Sequence, residues 1–148
     1  MRRINCRNEI PVILRKLLNL HHEINVKSEI LNRLREMSQT MSAMSFSHAP
    51  GNKKQHGHYS KVENTVIKIL SAEESLEKDL KELSGLTEKF KTVLDGIDDV
   101  RYKELLTYRY LCGNTWEQVA EKMDYSFVHV ANRLHPKAVG ILKDFGLR

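Results

Sequence analysis

Two runs of this chain repeat apolar residues every seven positions, and that period restricts the fold more than any other feature. In the first run Ile10, Leu17, Ile24 and Leu31 form one line, and Ile13, Leu20, Lys27 and Leu34 form a second, offset by three. In the second run Val62, Ile69, Leu76, Leu83, Phe90 and Ile97 form one line, and Val66, Glu73, Leu80, Thr87 and Leu94 form its partner. A seven-residue repeat puts a narrow apolar stripe on a helix, and such a stripe must be covered by another helix. The pattern predicts a helix over about 9–39, with Asn8 as its cap and Pro11 tolerated in the first turn. It predicts another over about 61–94, opened by a Ser60/Glu63 capping box and weakened locally by Gly85. Residues 40–60, TMSAMSFSHAPGNKKQHGHYS, lose the period and read as a flexible loop. Two helices of similar length joined by one loop should fold back as an antiparallel coiled-coil hairpin. An intermolecular coiled coil would bury the same stripes, and the pattern does not separate the two.

Charge is distributed unevenly along the chain. Of its 148 residues, the first 61 hold eleven Lys/Arg against four Asp/Glu. Residues 62–100 hold five against ten, and residues 101–148 hold eight against five. A basic first helix facing an acidic second favours their pairing, and the basic ends, with an arm at Arg2, Arg3 and Arg7, also suit nucleic acid. Cys6 and Cys112 have no metal-ligand spacing and read as reduced thiols of an intracellular protein. No apolar run reaches membrane-spanning length and the N-terminus lacks a signal-peptide core, so a cytoplasmic location and no membrane partner are expected.

The C-terminal third changes character. Asp95-Gly-Ile-Asp-Asp ends the second long helix and caps a third over about 99–111, closed by Gly113. Thr115 and Gln118 then make a capping box, and Trp116, Val119, Ala120 and Met123 recur at helical spacing. Asp124-Tyr125-Ser126 interrupts the pattern, and Ser126 can cap a following helix in which Val130 and Leu134 face inward. Val119, Met123, Tyr125, Val130 and Leu134 would form the core of the pair. Phe127, Val128, His129, Ala131, Asn132, Arg133 and His135 would face outward. Pro136 should end or kink this helix near Leu134, with a terminal helix restarting over 137–145. Two short helices joined by a tight turn suit insertion of the second into a DNA major groove, where Asn and Arg pair with adenine and guanine edges. An ordinary helical hairpin with a polar outer face fits the same periodicity.

The run Leu105-Leu106-x-x-Arg109-Tyr110-Leu111-x-Gly113-x-Thr115-Trp116-Glu117-x-Val119-Ala120-x-x-Met123-x-Tyr125-Ser126 is similar to region 4 of sigma-70 factors. Together with Val130-x-x-Arg133-Leu134-His135-x-Lys137-Ala138, it resembles the ArpU-type transcriptional regulators of phages and prophages. The resemblance covers about residues 105–138, and the heptad half agrees in general character alone. It implies sequence-specific binding to double-stranded DNA in the bacterial host cell, associated with the nucleoid, and contact with RNA polymerase.

The expected fold is therefore all-α: a long antiparallel helical hairpin over 1–97, then a sigma-region-4-like helix-turn-helix domain over 98–148. The candidate DNA-contacting residues are Ser126, Phe127, His129, Asn132, Arg133 and Lys137. Arg133 leads, against the alternative of a surface arginine paired with Glu104 or Glu121. Lys122 and Lys143 would meet phosphates if they share the docking face. Phe127 could pack on the preceding helix or touch a thymine methyl, with packing favoured, and Trp116 is expected in the core. His56 and His58 could ligate a metal only if other ligands converged, so no metal and no cofactor are expected. No phosphate loop, nucleophile elbow or paired ligand motif occurs, which argues against an enzyme. Self-association through the hairpin, a small-terminase-like DNA-packaging subunit and a protein-interaction adaptor contacting polymerase are the alternative roles.

Overall fold

Six α-helices and two π-helical turns make up residues 10–46 and 56–147, which the computed structural model describes, and no strand occurs among them. The helices are α1 (Val12–Phe46), α2 (His56–Leu94), α3 (Val100–Leu106), α4 (Trp116–Met123), α5 (Phe127–His129) and α6 (His135–Asp144). The first π turn, Thr107–Leu111, follows α3, and the second, Val130–Leu134, joins α5 to α6. The long helices extend farther into the expected loop than periodicity indicated, α1 through Phe46 and α2 from His56. Met41, Ala43 and Met44 are compatible with a helix, and no Pro or Gly stops α1 before Ala49-Pro50. The middle of that loop, the basic arm and the Asn8 cap lie outside the described residues.

The chain divides into two compact units: residues 22–81, and residues 10–21 together with 82–147. In the first, α1 and α2 run antiparallel. Lys27 Nζ meets Asp79 Oδ2 at 2.5 Å, Arg35 meets Glu73 at 2.7 Å, and Thr65 Oγ1 lies 3.7 Å from Met41 Sδ. Partners descend α2 as they ascend α1. The expected stripe of α1 faces inward here, with Leu31 buried and Ile24, Lys27 and Leu34 half-buried. On α2 the second line is not the expected one. Thr65 and Asp79 are buried and Ala72 half-buried, whereas Val66 and Leu80 stand 43% and 48% exposed. Lines offset by three and by four both border a heptad line, and apolarity favoured the latter. The packing takes the former because Asp79 there neutralises Lys27, the single charge in the facing stripe.

The second unit holds the larger core. Leu14 and Leu17 of α1, Phe90 and Leu94 of α2, and Ile97 pack with Leu105, Leu106, Tyr110, Val119, Ala120, Val130, Leu134, Ala138, Val139 and Leu142. The C-terminal helices thus share one core with the ends of the long pair, and Ile97 lies inside it. Each Leu, Ile, Val or Phe among them contributes about 1.5–3 kcal/mol on full burial, which ties α3–α6 to the start of α1 and the end of α2.

The Lys27–Asp79 pair yields an asymmetric prediction. Lys27→Leu leaves Asp79, whose side chain is 10% exposed, without its cation, and should destabilise by about 2–3 kcal/mol. Asp79→Leu should cost less, about 1 kcal/mol, because the lysine can extend to solvent. The double variant should regain wild-type stability or exceed it. Urea denaturation of the four proteins measures the cycle.

Candidate nucleic-acid interface

Local chemistry sets α4 and the helix after it. Thr115 Oγ1 accepts from the Gln118 amide at 3.3 Å, and Gln118 Oε1 accepts from the Thr115 amide at 3.0 Å. Both halves of the capping box are therefore present. Asp124 ends α4 in the left-handed region at φ 56°, a conformation that a short acidic side chain tolerates. Ser126 Oγ then accepts from the His129 amide at 3.3 Å and opens the next helix. Val119 and Ala120 of α4 are buried, as are Val130 and Leu134 of the helix packed on it.

Of the two outcomes expected at Pro136, an end or a kink near Leu134, the end does not occur. Phe127–His129, Val130–Leu134 and His135–Asp144 run on without a break. In a regular α-helix, Pro136 would leave the Asn132 carbonyl without a donor and press its ring on it. The second π turn widens the helix there, and the His135 amide donates instead to the carbonyl of Val130. The extra residue in the turn also rotates the helix beyond it. His135, expected to face outward, is 5% exposed and belongs to the core side with Ala138 and Val139.

His135 Nε2 lies 2.6 Å from the Tyr110 hydroxyl, and the Trp116 ring meets the imidazole edge-on at 4.7 Å. Burial, and secondarily the charge of Arg109, pushes the His135 pKa down from 6.5 to about 4. Arg109 lies over the Trp116 ring at 4.6 Å and donates to the Asn114 carbonyl at 2.7 Å. Trp116 is thus half-buried between a cation and a histidine. From α1, His21 Nε2 donates to the carbonyl of Tyr110 in the first π turn at 3.0 Å. Gly113 passes beneath the His21 ring at φ 69°, where a Cβ would stand 2.9 Å from it. No motif signalled these links, since their partners are far apart in sequence.

The expected DNA-contacting residues differ in exposure. Ser126 is exposed and caps. Phe127 and Val128 are 44% and 62% exposed, so Phe127 packs less than its favoured reading required. Tyr125, expected in the core, is 39% exposed and stacks on half-buried His129, with ring centres 5.1 Å apart. Asn132, Arg133 and Lys137 are exposed, and among the described residues Arg133 makes no ion pair with Glu104 or Glu121. Lys122 is placed over the Tyr108 ring at 5.3 Å, and Lys143 is exposed. Among the described residues no three His, Cys, Asp or Glu side chains converge as metal ligands would, and no helix is long and apolar enough to cross a membrane. The side chains of His56 and His58 lie outside the described residues, as does Cys6, while Cys112 is a free, exposed thiol.

No family model, curated protein or solved structure matches this chain.

Two measurements test this framework. Gly113→Ala should destabilise by about 2 kcal/mol or more, since it combines left-handed strain with the His21 contact; thermal melts read the loss. His135 stays neutral in the fold, whereas an unfolded chain takes up a proton below pH 6.5. Stability should therefore fall as pH drops from about 6.5 to about 4, by about 3 kcal/mol in all, and this contribution should then level off. Denaturation across that range should lose this slope in His135→Gln.

Proposed function

We propose that this protein is a sequence-specific DNA-binding transcriptional regulator of phage or prophage type. In this reading α4 and the helix beginning at Phe127 form a sigma-region-4-like helix-turn-helix, and the second helix enters the major groove. One observation carries the reading. From Ser126 to Lys143 the helix carries no acidic residue, and the exposed charged side chains of that stretch, Arg133, Lys137 and Lys143, are all cationic; the exposed Asp144 at the very end of the helix is its one acid. Arg133 offers two donors to a guanine edge, Asn132 a donor and an acceptor to an adenine edge, and Lys137 suits a phosphate. Val130, Leu134, His135, Ala138 and Val139 hold the opposite side in the core, so the outer side is presented on a rigid support. The similarity of residues 105–138 to ArpU-type regulators supports the same role, which would be carried out in the cytoplasm at the host nucleoid. The exposed Phe127 and Val128 favour a second reading, an adaptor whose same helix contacts a protein such as RNA polymerase.

Selection of duplexes from a random pool, followed by fluorescence anisotropy across a salt series, tests the proposal. The wild type should converge on one motif and bind it more weakly as salt rises. Arg133→Ala should weaken the selected site by about tenfold or more, from about 1–3 kcal/mol per bidentate contact. Lys137→Ala should weaken all duplexes alike and lower the salt slope by about one. A pool that fails to converge, with no salt-dependent binding, overturns the regulator reading and leaves the adaptor.

A further inference from the structure

Residues 22–81 hide little of their own apolar surface. Among the described residues of this unit Leu31 is the only apolar side chain that is buried, while Ile30, Met37 and Ile67 stand 49%, 51% and 57% exposed. Ile30 and Ile67 border a shallow groove of about 580 Å³ that also takes in Leu34, Ser71, Ala72 and Ser75, with Lys27 and Lys68 among its lining. Met37, seven residues after Ile30, continues the same side of α1. This face has relief: a ridge of large side chains on α1, and a trough on α2 where Ser71, Ala72 and Ser75 are small.

We propose that this face is the interface of a twofold dimer of this chain, with the Ile30–Met37 ridge of each copy lying over the Ser71–Ser75 trough of the other. The internal pairing supplies the register. Lys27 is level with Asp79 and Arg35 with Glu73, so Ile30 is level with the stretch of α2 just beyond Ser75. A twofold axis parallel to the helices lays α1 of one copy over α2 of the other without shifting either along its length. Each ridge then meets a trough at its own height, and the contact is isologous and closed. The area is adequate. Residues 22–46 of α1 rise about 37 Å at ~1.5 Å per residue, and two helices side by side are about 20 Å wide. That gives roughly 750 Å² per copy, against the ~800 Å² per partner of a stable interface. A face that is complementary to itself selects a second copy over an unrelated helix.

Sedimentation velocity of the full chain across a wide concentration range tests the proposal without reference to DNA, so its failure is separable from failure of the regulator reading. The wild type should sediment as a dimer. Ile30→Glu and Ile67→Glu should each raise the dimer Kd by about tenfold or more. Val66→Glu and Leu80→Glu provide the control, because they share a stripe with Glu73 on the side of α2 turned away from Ser71 and Ser75. They should change the Kd by less than about threefold. Ser75→Leu adds apolar surface but fills the trough, so it should weaken the dimer by about tenfold. Circular dichroism confirms that each variant remains helical. A monomeric wild type, a larger assembly, equal sensitivity to Val66→Glu, or tightening by Ser75→Leu each overturns the proposal.

Discussion

The tertiary arrangement of the larger unit depends on Tyr110. Its ring is fully buried and meets Phe90 of α2 edge-on at 6.4 Å, its hydroxyl shares a hydrogen bond with His135, and its carbonyl receives one from His21 of α1. One residue thus joins both long helices and the last helix. Its polar atoms are buried, so each needs a partner, and an unpaired one would cost about 1–3 kcal/mol. The partners are two histidines at either end of the chain. Each is held in place by further contacts, His21 by its seat over Gly113 and His135 by Trp116.

That constraint explains the treatment of Pro136. A helix broken at Leu134 would release His135 from Tyr110 and leave Ala138, Val139 and Leu142 to find the core separately. Widening one turn accommodates the proline and keeps the chain helical. It also turns His135 inward while Asn132, Arg133 and Lys137 remain exposed. The inner and outer sides of this helix are therefore set by the π turn Val130–Leu134, closed by the i to i−5 hydrogen bond from His135 to Val130. Both proposed surfaces, on this helix and on the 22–81 pair, consist of side chains that the internal packing leaves over.

Much of this could be read from local chemistry. Caps at Thr115 and Ser126, the left-handed glycine after Cys112 and the α1 stripe all depend on residues within one or two turns of each other, and these are the positions where the structure agrees with the sequence pattern. Differences arise where a residue answers to a distant one. Apolarity assigned the second α2 line to Val66 and Leu80, but Lys27 on the other helix calls for Asp79. Tyr125 looked like core, yet the core is filled by Leu14, Leu17 and Phe90 from the long helices, and the tyrosine stacks on His129 at the surface. The cation over Trp116 and the Tyr110–His135 bond left no periodic signature at all.

By itself, the sequence determined that the described chain is helical, where the stripe of α1 runs and where most helices start, because propensity, heptad spacing and capping act over one to seven residues. Tertiary structure alone decided which charged residues face each other, that the last helix passes through Pro136, and that His135 is buried while Arg133 is not. The physical reason is that burial is shared: whether a polar group lies inside depends on a partner supplied from elsewhere in the chain, and spacing along one helix carries no record of it.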